Sequence, residues 1–197
     1  FPTFVVYGKK SSGKFHIFNS LFHEMSLKKH TFVQNIFDSE FNKPCIMVKI
    51  RNTLTETFRV KYSQRNNFIN FSSFERMCVD IKRKSSSNYF SDELEMMIIE
   101  ISGRRNCTCF LMNGFSNNQS NNFEMCEIMK AIKTNNKFSC FIECVSVTED
   151  FRNKMHYFDN DVTILTKCDI VNGNEYIINA HKYIKNENCF ITSSRQN

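Results

Sequence analysis

Seven residues near the start of the chain, Gly8-Lys9-Lys10-Ser11-Ser12-Gly13-Lys14, have the types and spacing to hold a phosphate group. They form G-x-x-x-x-G-K between an apolar run, Phe4-Val5-Val6-Tyr7, and a helix-like segment. Gly8 and Gly13 let the backbone curl until its N–H groups converge on an anion. The helix starting near Lys14 aims the positive end of its dipole at the same place. Lys14 adds a point charge for the outer phosphates. The bland alternative is a Gly/Lys-rich turn between a strand and a helix. With only five Gly in 197 residues, two at this spacing with the Lys and the right flanks argue against it. One residue breaks the pattern. A Ser or Thr hydroxyl after the Lys binds Mg²⁺ in such loops, whereas Phe15 has no oxygen to offer and its ring would crowd the ion.

Such a loop needs a strand and a helix to fix it, and the chain supplies both. Phe4 to Tyr7 reads as a short buried strand. Lys14 to Phe22 reads as a helix with Ile17, Phe18, Leu21 and Phe22 on one face. Cys45 to Ile50 is a strand with which Thr57 to Val60 is expected to pair, and Phe74 to Ile81 is helical. Leu94 to Ile101 and Cys107 to Met112 are strands, Phe123 to Ile132 a helix, Phe138 to Val145 and Val162 to Leu165 buried strands. Tyr176 to Ile184 is a helix and Cys189 to Thr192 the last strand. Ser116 to Asn122, rich in Asn and Ser, reads as a loop, and Ser85-Ser86-Ser87 lies in another. Strands alternating with helices predict an α/β fold with a mostly parallel sheet and helices on both faces.

Composition sets the outer limits. A hydrophobic fraction of 41% predicts a globular core rather than disorder, and 21 Phe with no Trp imply that Phe fills much of it. The net charge of +6 permits attraction to phosphates or anionic lipid, but the basic residues are scattered. The short run Lys82-Arg83-Lys84 reads as solvated surface, and nucleic acid is not an expected partner. Nine Cys, an odd number with no CxxC, read as buried thiols in a reducing compartment, not as metal ligands. No apolar run approaches the roughly 18 residues of a membrane span, and no signal peptide is visible. Opening on Phe1 and stopping soon after an apolar segment fits a piece of a longer protein.

Phe1-Pro2-x-Phe4-Val5-Val6-x-Gly8-x-x-Ser11-Ser12-Gly13-Lys14 resembles the opening of a dynamin-family G domain, which begins Leu-Pro, strand, G-x-x-S-S/A-G-K-S. Far downstream, Ile164-Leu165-Thr166-Lys167-Cys168-Asp169 is similar to the family's T-K-x-D guanine motif. The chemistry suits that role: the Asp169 carboxylate can accept from the N1–H and 2-amino group of guanine, which adenine lacks, and the Lys167 stem can lie along the base. Taken alone, T-K-C-D is also what a strand-end turn looks like. Asn42 to Val48 and Phe90 to Ser102 are similar to intervening family segments, and Cys107 to Phe115 to the strand of its D-x-P-G motif, with Gly114 on the Gly. Phe190-Ile191-Thr192-Ser193-Ser194-Arg195-Gln196 is similar to the last strand and N-R-S-Q loop.

The resemblance implies a three-layer P-loop G domain spanning residues 1–197, with no stalk in this chain. It implies binding of GTP or GDP through Gly8, Lys10, Ser11, Ser12, Gly13, Lys14 and Phe15 for the phosphates and Thr166, Lys167, Asp169, Ser193 and Gln196 for the base. It also implies G-domain dimerisation and a cytoplasmic place, peripheral to membranes or microtubules, with membrane remodelling carried by other segments. The departures weigh against hydrolysis. The family's switch Thr aligns with Phe41, the Asp of D-x-P-G with Leu111, the Asn of N-R-S-Q with Ser193, and a hydrolysis-assisting Gln with Lys10. Mg²⁺ would thus lose three supports at Phe15, Phe41 and Leu111, unless Asp38, Glu40 or Asp92 supplies a carboxylate. Hydrolysis rests largely on positioning and on charge neutralisation by that ion, so it is expected to be weak or lost. Two alternatives stay open: a pseudo-GTPase interaction module that no longer binds nucleotide, and an ATP-using P-loop kinase, against which T-K-C-D argues. Lys10 reads either as a neutraliser of phosphate charge or as a solvated loop side chain.

Overall fold

The computed structural model describes residues 1–32, 45–62, 67–85, 97–115, 119–148, 158–170, 175, 178 and 188–192. Its elements in chain order are β1 Thr3–Gly8, α1 Lys14–Met25, β2 Cys45–Arg51, β3 Phe58–Lys61, β4 Ile69–Phe71, α2 Phe74–Ser85, β5 Met97–Ser102, β6 Cys107–Met112, α3 Gln119–Asn135, β7 Ser139–Ser146, β8 Val162–Thr166 and β9 Cys189–Ile191. The nine strands form one sheet in the order β4-β3-β5-β2-β6-β1-β7-β8-β9. From β6 across β1, β7 and β8 to β9 every pairing is parallel. β2 then runs antiparallel to β6 while β5 runs parallel to β2, and β3 and β4 complete an antiparallel edge. The architecture is thus α/β with a mixed, mostly parallel sheet, as the alternation of strands and helices predicts.

The central strands are buried on both faces and read as near-continuous apolar runs. In β1, Val6 points into one core and Val5 and Tyr7 into the other, as the two-residue period of a strand requires. The first core takes Ile17, Phe18 and Phe22 from α1 and Phe74, Met77, Cys78 and Ile81 from α2. The second takes Met125, Met129 and Ile132 from α3, a spacing of four and three residues that puts all three on one helical face. The sheet is therefore sandwiched between helical layers. The Phe-rich composition is spent largely in the first core: the rings of Phe22 and Phe32 lie 4.5 Å apart, Phe32 and Phe74 5.1 Å, and His30 stacks on Phe74 at 4.4 Å. Each such ring, fully buried, contributes about 1.5–3 kcal/mol.

Two expectations need correction. The strand at Phe58–Lys61 pairs with β5, not with β2. β2 is already flanked by β5 and β6, and the β3–β5 register sets Arg59 against Glu100, with Arg59 Nε donating to Glu100 Oε1 at 3.0 Å. The Asn/Ser stretch read as a loop up to Asn122 is helical from Gln119 onward, because α3 begins inside it. The edge strand β4 had no counterpart in the sequence reading. Most of the helix expected over 176–184 lies outside the described residues; Ile178 is helical. Among the described residues no helix is long and apolar enough to cross a membrane.

Candidate functional site

β1 ends at Gly8, paired in register with Cys144 of β7. Only glycine fits there: a Cβ would stand 2.3 Å from the Cys144 carbonyl oxygen and 2.6 Å from Ser12 Oγ. Beyond it the chain turns sharply. The Ser12 N–H donates back to the Lys9 carbonyl at 3.2 Å, and Ser11 and Gly13 both take left-handed conformations, with φ of 61° and 82°. For Gly13 that conformation is free of the Cβ penalty; for Ser11 it carries strain of about 1–2 kcal/mol. Gly13 caps α1 through its carbonyl, which accepts from His16 N at 3.0 Å and Ile17 N at 3.3 Å, and no side chain caps the helix. The N-terminal end of α1, with the positive end of its helix dipole, thus lies at this turn, as an anion site requires.

Lys14 folds back over this turn. Its Nζ donates to the Lys9 carbonyl at 3.2 Å. Burial lowers its pKa from the ordinary 10.5 to about 8; the buried Cys144 thiol opposes that shift and the like charge of Lys10 adds to it. Lys10 is exposed at the edge of the loop. Its backbone is held by the segment after β6: Lys10 N donates to the Phe115 carbonyl at 3.2 Å, and Phe115 N donates to the Gly8 carbonyl at 3.0 Å. Gly114 lies against it so closely that a Cβ there would be 2.7 Å from Lys10 Cα. Gly114, assigned from sequence to the D-x-P-G-like segment, is therefore brought directly beside the Gly8–Lys14 turn.

The end of β8 reaches the loop from the other side. Thr166 Oγ1 donates to the Ser12 carbonyl at 2.6 Å and lies 3.3 Å from the Val145 carbonyl. This hydroxyl joins the two sequence motifs physically, and it was not legible as a tether because its acceptors are main-chain carbonyls. Lys167 follows with a left-handed φ of 60°, and Ile170 N donates to the Lys167 carbonyl at 3.1 Å, so Lys167 to Ile170 is a strand-end turn. Lys167 and Asp169 are both half-buried there. β9 lies alongside, its continuation held by Thr192 N donating to the Leu165 carbonyl at 2.8 Å. Ser193 and Gln196 lie outside the described residues, as do Phe41, Asp38, Glu40 and Asp92.

The expected Mg²⁺ site can be tested at the two described positions. Phe15 packs partly buried against the first core, and Leu111, 5% exposed, belongs to that same core. Neither brings an oxygen. Among the described residues of the loop and the segment beside it, the Ser11 and Ser12 hydroxyls are neutral, as is Asn113 Oδ1, which accepts from Gly114 N at 2.8 Å. A small hard cation such as Mg²⁺ is held by carboxylates and phosphates in near-octahedral geometry, and the donors of the described residues alone do not fit it.

The sequence matches no family model and no curated protein. Among solved structures, the chain is similar to a bacterial dynamin, part of an oligomerised pair that provides a mechanism for the long-range sensing and tethering of membranes, with a TM-score of 0.57 and 12% identity. The likeness covers 98% of this chain and 30% of that one, so the chain spans less than a third of that protein's length. At that identity the likeness shows the fold alone, an α/β sandwich about a mixed, mostly parallel sheet.

Proposed function

We propose that residues 1–197 form a G domain of the dynamin type that binds GTP and GDP and hydrolyses GTP weakly or not at all. The observation that carries this reading is the hydrogen bond from Thr166 to the Ser12 carbonyl, which sets the T-K-C-D turn against a G-x-x-x-x-G-K loop at the mouth of α1. In this reading the backbone from Gly8 to Phe15, with Lys10, Lys14 and the Ser11 and Ser12 hydroxyls, takes the phosphates. Lys167, Asp169, Ser193 and Gln196 take the guanine. Thr166 acts through the loop rather than on the base, since its hydroxyl is engaged with protein carbonyls. The apolar packing of Phe15 and Leu111 supports weak hydrolysis, because the reaction depends on an ion that these residues do not hold. By likeness of fold to a membrane-tethering neighbour, G-domain pairing and peripheral membrane association extend the proposal.

Titration of the protein with fluorescent GTP, GDP and ATP tests it. The expected result is saturable guanine-nucleotide binding lost in Lys14→Ala and Asp169→Ala, with ATP weaker by tenfold or more, on the order of one charge-assisted hydrogen bond. No binding at millimolar nucleotide sinks the proposal and leaves an interaction module. A preference for ATP turns it toward a P-loop kinase.

A further inference from the structure

A phosphate loop whose described residues offer no charged ion ligand must neutralise its anion in another way, and this loop carries three lysines in seven residues, Lys9, Lys10 and Lys14. We propose that the loop takes its guanine nucleotide as the metal-free di- or triphosphate, with Lys10 supplying from the protein the positive charge that a divalent ion would otherwise bring. The inference rests on the nucleotide-binding reading above and goes beyond it by naming the ionic form of the ligand and the residue that selects it.

Three observations point this way. The two described positions that the family resemblance assigns to the ion, Phe15 and Leu111, are side chains of the first core and carry no oxygen. Lys10 has a fixed base and a free reach. Its N–H is held by the Phe115 carbonyl and its Cα abuts Gly114, while the residue itself is exposed at the loop edge. A charge that starts in solvent from an anchored backbone can close over a bound phosphate at little ordering cost beyond its own rotamers. Lys14, by contrast, is already folded inside the loop onto the Lys9 carbonyl. Burial lowers its pKa and the like charge of Lys10 adds to that, so an anion bound beside Lys14 would favour its charged form. Finally, Ser12 Oγ is buried beside Gly8, and among the described residues it is the buried side-chain oxygen or nitrogen without a hydrogen-bond partner. A lone hydroxyl in that place suits donation to an anion and is too weak a ligand to hold a divalent cation by itself.

Calorimetric titration of GDP and of a non-hydrolysable GTP analogue, once in excess EDTA and once in millimolar MgCl₂, decides the matter on the unmodified protein. The expected result is affinities within about threefold of each other, where an ion-dependent site would gain about a hundredfold or more from Mg²⁺. Lys10→Ala is expected to lose about tenfold in EDTA and Lys10→Arg to retain affinity, as for removal and replacement of one charge-assisted contact. Tight binding only with Mg²⁺ overturns the inference and leaves the nucleotide-binding reading intact. Absence of binding under both conditions overturns both. An unchanged affinity in a Lys10→Ala protein with a native circular dichroism spectrum removes Lys10 from the role.

Discussion

Replacing Thr166 by Val isolates the contact that ties the two halves of the candidate site. Thr166 and Ser12 are 4% and 1% exposed, so water cannot take the place of the lost donor. The hydroxyl proton serves the Ser12 carbonyl at 2.6 Å far more than the Val145 carbonyl at 3.3 Å. Val matches Thr in shape, so no cavity opens, and the cost is that of a buried carbonyl left without its donor, about 1–3 kcal/mol. Taking about 2 kcal/mol and an ordinary urea dependence, the unfolding midpoint should fall by about 1 M with an unchanged slope. Thr166→Ser keeps the hydroxyl and should stay within about 1 kcal/mol of wild type. A second readout separates tether from base contact. If Thr166 acts by holding the phosphate loop, Thr166→Val should weaken GDP and inorganic pyrophosphate by similar factors. A Val variant as stable as wild type, a Ser variant as costly as Val, or a loss confined to GDP would each refute the reasoning.

Three further outcomes follow from the same geometry. Gly8→Ala should cost about 3 kcal/mol or more by chemical denaturation, because the added methyl meets the main-chain carbonyl of Cys144 at 2.3 Å and a backbone must move; a loss under 1 kcal/mol would mean that β1 and β7 are not paired there. Lys14, with its folded pKa near 8 against an ordinary 10.5, imposes its full burial cost below about pH 8, where both folded and unfolded chains carry the proton. Between about pH 8 and 10.5 the unfolded chain binds more protons, so stability should rise with pH, by up to about 3 kcal/mol relative to Lys14→Met; parallel urea melts of the two proteins check this, and a pH-independent difference counts against a buried Lys14. Burial pushes the thiols of Cys45, Cys78 and Cys144 up to about 12, so peptide mapping after brief iodoacetamide treatment near neutral pH should find them unmodified in the native protein and alkylated after unfolding, while the half-exposed Cys126 and Cys168 react first.

The elements were legible where burial writes itself into the sequence. β1, β6 and β7 are apolar runs because both their faces are covered, and α1 shows its core face as Ile17, Phe18 and Phe22. Partnership between strands was not legible, since nothing within Phe58–Lys61 says that β5 stands beside it; the charge of Glu100 opposite Arg59 gives a hint only after the register is known. β4 is three residues with Ile69 and Asn70 exposed, too short for any period to show. The start of α3 was hidden by Asn and Ser, residues that favour turns and helix ends alike. Within the candidate site, Gly8 and Gly13 announced themselves because their backbone positions exclude other residues. Contacts to main-chain atoms did not: the Lys9 carbonyl under Lys14, the Ser12 carbonyl under Thr166 and the Phe115 carbonyl beside Lys10 would exist whatever side chains those acceptors carried.

On the proposed reading, Phe15 and Leu111 are better understood as one departure from an ion-holding loop than as two. Leu111 sits on β6 between Val6 of β1 and Ile46 of β2, and it is nearly inaccessible. A carboxylate in its place would be a buried charge, tolerable only with a cation or another partner beside it and costly by several kcal/mol without one. A hydroxyl in place of Phe15 would remove a ring packed on the first core and return one neutral ligand. Each reversal alone therefore loses packing or leaves a group unpaired, and neither alone assembles an ion site. The apolar residues stabilise each other's presence: with the ring at 15 no cation is held to compensate a charge at 111, and with Leu at 111 no charge is present to draw a cation toward 15. On that reading the chain keeps the curled backbone, the helix end and the lysines proposed to meet the phosphates, because those depend on Gly8, Gly13, Lys10 and Lys14. What the same reading has it give up is the part of the chemistry that an ion would perform.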